Sequence, residues 1–203
     1  HIPSLLFVAE HAIDREQYDL AESTVQEVLA INRHQQQALA LLAVLAHLRG
    51  NYEIESLMRA TALSTWKRNP QVDHLIGRKL SQKYRFEEGA DYQRRALQFD
   101  PNYNPARFQL AQDLLRLGQD DDGWEMAHRV AEEDEYNVIA HNLITLHDRL
   151  KSFSVIEAGN LHVRMDRQEA EIYGDSVLKL LTEAQGVLCK KYDIEPTAPL
   201  VVE

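Results

Sequence analysis

The chain has 203 residues, of which 44% are hydrophobic and 27% are charged, and its formal net charge is −10. It is long enough to bury a sizeable core, and no run approaches the ~18 apolar residues of a membrane span. The acidic balance argues against a nucleic-acid-binding face, since phosphate contacts need clustered Lys and Arg. A single cysteine, Cys189, excludes an intrachain disulfide.

The chain repeats a helix–turn–helix pattern from its start to Leu150, with a period of about 34 residues. Each copy has a large–small pair in its first helix, which is Ile76-Gly77 in the third copy. Shifts by one or two periods give the equivalent pairs of the other copies, which are Val8-Ala9, Leu42-Ala43 and Leu110-Ala111. The copies cover residues 2–35, 36–69, 70–103 and 104–137, and a further first helix covers 138–151. The spacing therefore predicts nine helices through Leu150.

Several positions within the copies carry structural information. Residues 38–48 are apolar on nearly every side, which predicts a helix packed between neighbours. Pro70 and Pro105 favour helix starts, because proline at the first turn lacks only a donor that would be unpaired anyway. The aromatic column of Tyr18, Tyr52 and Phe86 follows the hairpin turns at the same period and is predicted to pack in the core.

The pattern changes after Ser152. Residues 153–157 and 161–165 alternate apolar and polar side chains and predict a β-hairpin. Asp166 followed by Glu169 is typical of a capping box, and it opens a helix that we expect to run to about Tyr192. A loop over 193–199 then leads into a strand at 200–203. The predicted β-β-α-β segment, residues 153–203, is an incomplete domain.

The repeat resembles the tetratricopeptide family at Ile76-Gly77, Gly89, Ala96 and Pro101, although Asp73 stands where the family has a tryptophan. The resemblance covers residues 1–152 and implies an all-α, right-handed superhelix of about four and a half helical hairpins. In that family the first helices line a concave groove that binds peptides. No catalytic role is implied for these residues.

The family's repeat geometry implies a set of groove residues in this chain. They are Leu6, Glu10, Ala40, Val44, His47, His74, Arg78, Gln82, Phe108, Gln112, Arg116 and Asn142. Co-chaperone members hold a C-terminal carboxylate with Lys and Asn at two positions where Leu6 and Glu10 stand here, which argues against that ligand. An apolar half and a cationic half instead suggest an extended peptide with an apolar anchor and an acidic residue held by Arg78 and Arg116.

The tail resembles the opening of the peptidase MA-like domain, a family of zinc metallopeptidases. The resemblance rests on the segments 161–166, 169–174, 180–181, 191–192 and 199–203. The family's chemistry depends on a His-Glu-x-x-His helix, in which two histidines hold zinc and the glutamate activates water. That motif does not occur in this sequence, so we expect this chain to be inert as a peptidase.

Other candidate chemistry is sparse. His128 and Glu132 share a helix face, but two ligands without a third make a weak metal site. His141 and His147 are six residues apart and fall on different faces. We therefore predict no metal and no cofactor.

Three functions stay open at this point. The first is a protein-interaction scaffold that binds a peptide or a partner protein in the groove. The second is a recruiting arm of a bacterial zinc metallopeptidase whose catalytic residues lie beyond Glu203. The third is a spacer or self-association surface. The chain begins His-Ile-Pro, so we expect it to be part of a longer protein, and its localisation is not encoded in these residues.

Overall fold

The computed structural model describes residues 1–196 and 199–203. Over this part of the chain there are ten helices and three strands, divided between two compact units, His1–Glu133 and Asp134–Glu203. The predicted loop over 193–199 includes residues 197 and 198, which lie outside the described residues.

The first unit is built from four helical hairpins. Its helices are α1 (Ile2–Asp14), α2 (Tyr18–Ile31), α3 (Gln36–Leu48), α4 (Tyr52–Ala62), α5 (Pro70–Ser81), α6 (Phe86–Phe99), α7 (Asn104–Arg116) and α8 (Asp120–Glu133). The first helices begin at residues 2, 36, 70 and 104, and the second helices at 18, 52, 86 and 120. Both series advance by the same constant step, which confirms the predicted period and phase.

Each hairpin turns at the same point of the repeat. The residues at this point are Glu16, Gly50, Tyr84 and Gly118, and all four have a positive φ of between 61° and 73°. Glycine adopts this left-handed conformation without steric cost, whereas a side chain at Cβ opposes it. Two of the four turns therefore carry a small local strain.

Helix α3 forms the centre of the core of the first unit. Its residues from Ala38 to Ala46 are 0–7% exposed, apart from the partly buried Leu42. Helix α3 packs against its own partner α4 and against the first helices α1 and α5. This burial on several sides confirms the prediction drawn from its apolar sequence.

The large–small pair marks a close helix crossing in the third hairpin. A Cβ atom at Gly77 would lie 2.8 Å from the backbone oxygen of Gly89 and 2.9 Å from Cβ of Tyr92. Helices α5 and α6 can approach this closely only because both Gly77 and Gly89 lack a side chain. The predicted contact of Gly77 is therefore confirmed.

The aromatic column packs less deeply than its period suggests. Tyr18 and Phe86 are half-buried, whereas Tyr52 is 58% exposed. The ring of Tyr52 meets His47 edge-on, with 5.4 Å between the ring centroids. The prediction of a core position is wrong for Tyr52, because it opens α4 at the surface and covers only one edge of its neighbour.

A buried ion pair and a buried hydrogen bond join the second and third hairpins. Arg59 on α4 donates to both oxygens of the fully buried Asp73 on α5, at 2.5 and 2.7 Å. Glu55 on α4 accepts a hydrogen bond from the hydroxyl of Tyr92 on α6. Burial, together with this hydrogen bond, raises the pKa of Tyr92, so the phenol remains the donor. Each buried charge thus has a partner, as its desolvation requires.

The second unit contains the predicted β-β-α-β segment. After α9 (Val138–Leu150) it forms β1 (Ser154–Ala158), β2 (Leu161–Met165), α10 (Arg167–Tyr192) and β3 (Leu200–Val202). Strand β2 pairs antiparallel with β1 and parallel with β3. The side chain of Asp166 accepts the backbone N–H groups of Gln168 and Glu169 and caps α10 as expected.

Helix α9 begins one repeat period after α7, in phase with the repeats, but it belongs to the second unit. Its assignment to the repeat array stays a prediction. Helix α10 packs on β1 and β2, where Gly174 receives the side chain of Ile156. Among the helices described, none is both long enough and apolar enough to cross a membrane.

Candidate functional site

A pocket of about 330 Å³ lies on the face formed by the first helices of the second and third hairpins. We call it the α3–α5 pocket. Its floor is apolar, and its walls carry amide side chains, an imidazole, a guanidinium and a phenol. The lining residues are Gln35, Gln36, Gln37, Ala40, Asn69, Gln71, Val72, His74, Leu75, Arg78 and Tyr103.

The repeat brings three of these residues together. Gln35, Asn69 and Tyr103 are the residues that immediately precede α3, α5 and α7, and each is one repeat period from the next. The pocket therefore lies beside the N-terminal ends of first helices. Asn69 accepts the backbone N–H of Gln71 at 3.0 Å and donates to Gln36 at 2.7 Å, so one side chain both caps α5 and orients a wall of the pocket.

His74 is held as a neutral acceptor. Its Nδ1 lies 2.8 Å from Oε1 of Gln93, and Nε2 of Gln93 donates to the backbone oxygen of His74. Since the amide oxygen can only accept, Nδ1 carries the proton, and Nε2 is the acceptor. Burial lowers the pKa of His74, and the nearby charge of Arg78 lowers it further against the opposing effect of Gln93. The imidazole is therefore uncharged at neutral pH.

Tyr103 lines the pocket next to the imidazole of His74. The two rings meet edge-on, with 5.5 Å between their centroids. Burial raises the pKa of Tyr103, so the phenol also stays uncharged. Two aromatic side chains thus present polar edges without adding charge.

Arg78 is the cation of the pocket, and its charge is compensated. Its Nη2 donates to Oε2 of Glu10 on α1 at 2.7 Å, and Nε2 of Gln37 donates to the other carboxylate oxygen at 2.8 Å. Glu10 and Arg78 were both predicted as groove residues, and the structure brings them into direct contact. The pair leaves the pocket close to neutral.

Four other predicted groove residues are buried in the first unit. Leu6, Ala40 and Val44 are at most 4% exposed, and only Ala40 of these three lines the pocket. His47 is 5% exposed, and its Nδ1 lies 3.0 Å from Oε2 of Glu55, although the two groups are not aligned as a hydrogen bond. The predicted apolar half of the groove thus serves mainly as core.

The remaining predicted groove residues lie away from the pocket. Phe108 and Gln112 are half-buried on α7, and Gln82 is exposed. Arg116 is exposed, with its guanidinium carbon 5.7 Å from the centroid of the Phe86 ring. Asn142 is exposed on α9 in the second unit. Of the two arginines expected to hold one acidic group, only Arg78 lines the pocket.

The sequence analysis did not predict the five Gln and Asn residues that line the pocket, nor Tyr103. Gln35, Gln36, Gln37, Asn69, Gln71 and Tyr103 stand at or just after the start of first helices, where polar residues are ordinarily read as caps. Their position within the repeat could have identified these residues from the sequence. A glutamine run and two further polar residues at the same phase of successive repeats indicate a common surface.

Metal ligands are not assembled in the described part of the chain. Across residues 1–196 and 199–203, no three His, Cys, Asp or Glu side chains are grouped so that they could hold an ion. His128 is half-buried and Glu132 exposed on α8. The expectation that the chain binds no metal stays a prediction.

No protein-family model matches the sequence, and no curated protein matches it. Solved structures do resemble the fold. The Thermobaculum terrenum O-GlcNAc transferase aligns over 65% of this chain and 26% of its own, at 23% identity and a TM-score of 0.43. The first TPR of Spaghetti (RPAP3), bound to an HSP90 peptide, aligns over 58% of this chain and 97% of its own, at 16% identity and a TM-score of 0.46. MamA aligns over 71% and 84% of the two chains, at 14% identity and a TM-score of 0.49.

These similarities are distant, and the aligned region is only about a quarter of the transferase chain. The assignment of the fold depends on the chain itself. Paired helices recur at one constant period, and small residues stand where the two helices of a hairpin cross. Residues 1–133 have the tetratricopeptide-repeat fold.

Proposed function

We propose that this protein is an interaction scaffold and that the α3–α5 pocket binds an extended segment of a partner protein. The observation that carries the proposal is the lining of the pocket. Five Gln or Asn side chains line it together with His74, Arg78 and Tyr103 above an apolar floor.

This lining suits the chemistry of a peptide backbone. An extended peptide presents one N–H and one C=O per residue, and both need partners when they leave water. A Gln or Asn side chain offers two donors and one acceptor oxygen, so it can satisfy either group. Nε2 of His74 adds an acceptor, and the hydroxyl of Tyr103 can act in either role.

The size of the pocket sets the extent of the contact. At about 330 Å³ it is at the small end of the range of ligand sites. It can enclose one or two residues of a peptide, while the apolar floor of Ala40, Val72 and Leu75 accepts a small aliphatic side chain. We infer that the rest of the peptide lies across the adjoining surface of α3 and α5.

A peptide array followed by solution affinity measurements tests the proposal. Tyr103→Ala and His74→Ala should each weaken binding of the selected peptide at least about tenfold, equivalent to ~1.4 kcal/mol. Both variants remove pocket surface, and circular dichroism establishes that each is folded before its affinity is measured.

Arg116→Ala is the matched control. It removes a side chain from a first helix at an exposed position outside the pocket. We expect its affinity to stay within about twofold of the wild type, since surface contacts of this kind contribute little. If Arg116→Ala weakens binding and the two pocket variants do not, the α3–α5 pocket is not the site.

A further inference from the structure

Glu10 makes contacts that are typical of a bound ligand. Its two oxygens accept from Nη2 of Arg78 at 2.7 Å and from Nε2 of Gln37 at 2.8 Å, and Nζ of Lys79 lies 3.3 Å away. These donors belong to α3 and α5, whereas Glu10 is on α1. Three donors from two helices therefore converge on one carboxylate that comes from a third.

The fit between Glu10 and Arg78 is incomplete. The guanidinium can hold a carboxylate with two parallel N–H groups, but Glu10 engages only Nη2. Nε of Arg78 is buried, and within residues 1–196 and 199–203 it has no hydrogen-bond partner. A buried N–H without an acceptor is unfavourable, so the contact with Glu10 does not satisfy the guanidinium of Arg78 completely.

We propose that Glu10 determines the specificity of the α3–α5 pocket by occupying an acid-binding position beside it, against the lining residues Arg78 and Gln37. The inference rests on the proposed peptide-binding function. With Glu10 in place, the charges of Arg78 and Lys79 are already paired with those of Glu10 and Asp14. A second carboxylate would be repelled by Glu10, so the pocket selects a neutral polar segment, such as one with Gln or Asn, and rejects Asp or Glu.

Removal of the Glu10 carboxylate should expose the acid-binding position. Inorganic sulfate serves as the probe, titrated against sodium chloride at constant ionic strength and followed through the side-chain N–H resonances of Arg78. We expect a saturable shift in Glu10→Gln and in Glu10→Ala, and no saturable shift in the wild type. Glu22→Gln is the control, because it removes a comparable carboxylate–arginine pair, Glu22–Arg49, outside this pocket.

Two results of the sulfate titration would contradict the proposal. An equal response of the wild type and both Glu10 variants would show that Glu10 does not fill the position. The absence of a response in folded Glu10→Ala would show that the donors do not form an anion site. Neither result depends on whether the protein binds peptides.

A pair of peptides tests the consequence for selectivity. The two differ only by Gln or Glu at the position of the selected peptide that is most sensitive to Arg78→Ala. The wild type should prefer the Gln peptide by about tenfold, and Glu10→Ala should reverse the preference. If the role of Glu10 were purely structural, Glu10→Ala would bind both peptides more weakly by the same factor. A wild-type preference for the Glu peptide would overturn the inference, and failure of both peptides would instead count against the proposed function.

Discussion

At the scale of single residues, Asp113 has a carboxyl group whose burial disfavours its charged form. It is 1% exposed, and it accepts from Oγ of Ser81 and from Nε2 of Gln109, both at 2.9 Å. Burial raises its pKa to about 6, against the opposing effect of both hydrogen bonds. The folded protein therefore binds this proton more tightly than the unfolded chain does.

The pH dependence of stability follows from that difference. Between about pH 4 and pH 6 the folded state carries more protons at Asp113, so its contribution to the free energy of unfolding falls as pH rises. Asp113→Asn should be more stable than the wild type at pH 7–8 by ~1–3 kcal/mol, and the difference should vanish near pH 4. Urea unfolding at a series of pH values measures it.

Asp91→Asn is the control for this experiment. Asp91 is exposed and pairs with Arg94 on the same helix. Its replacement should change stability by less than about 0.5 kcal/mol at any of these pH values. A stability difference for Asp113→Asn that is constant with pH would contradict the assignment of the raised pKa.

The hairpin turns make a second prediction at this scale. Gly50 and Tyr84 occupy equivalent left-handed positions, with φ of 73° and 61°. That conformation costs a non-glycine residue ~1–2 kcal/mol, whereas glycine gives the unfolded chain ~0.4–1 kcal/mol of extra entropy. Gly50→Ala should therefore destabilise the protein by about 0.5–1 kcal/mol, and Tyr84→Gly should stabilise it by about 0.5 kcal/mol.

Gly50→Ala and Tyr84→Gly serve as experimental controls for each other. A Cβ at Gly50 would meet no atom within 4 Å, so packing does not enter its effect. Tyr84 is 79% exposed and loses only an edge contact with Phe86. If both substitutions shift the urea midpoint in the same direction, local strain is not the cause.

At the scale of helices, the crossing of α5 and α6 depends on Gly77. Gly77→Leu places a side chain against the backbone oxygen of Gly89, which cannot rotate away. We expect a loss of ~1–3 kcal/mol in the free energy of unfolding, as for other overpacked cores. Gly186→Leu adds the same side chain in α10, where a Cβ meets nothing within 4 Å, and should not lower the unfolding midpoint. An unchanged melt for Gly77→Leu would refute the assigned phase of the repeat.

The helices show which features a sequence can predict. Pro70 and Gly77 act locally, through a fixed φ and a missing Cβ, and the constant period repeats such effects until the hairpins are unambiguous. The pocket was only partly predictable. Ala40, His74 and Arg78 were expected there from the family's repeat geometry, but the contact between Arg78 and Glu10 joins residues 68 positions apart. Periodicity predicts which face a side chain occupies, and not which distant charge it meets.

At the scale of the first unit, charge pairs connect the first hairpin to the third. Lys79 is 2% exposed, and its Nζ lies 2.8 Å from Asp14 on α1. Nζ of Lys83 donates to the backbone oxygen of Asp14 at 3.0 Å and pairs with Glu16. Helix α3 packs against both α1 and α5.

A double-mutant cycle measures this connection. Asp14→Asn and Lys79→Met, alone and together, should give a coupling energy of ~1–3 kcal/mol, because the ammonium is buried. The exposed pair Asp91–Arg94 provides the reference cycle, for which ~0.2–1 kcal/mol is expected. Coupling no larger than in the reference pair would show that the Asp14–Lys79 contact does not connect the two hairpins energetically.

The connection between the first and third hairpins changes how the array should open. Repeat arrays ordinarily behave as one-dimensional chains in which each unit senses only its neighbours, so the terminal unit frays alone. Here helix α1 of the first hairpin is connected through Glu10 and Asp14 to a helix two hairpins away. Amide protons of α1 and α5 should consequently exchange with solvent in one shared opening event, and the first three hairpins should unfold as a single cooperative block.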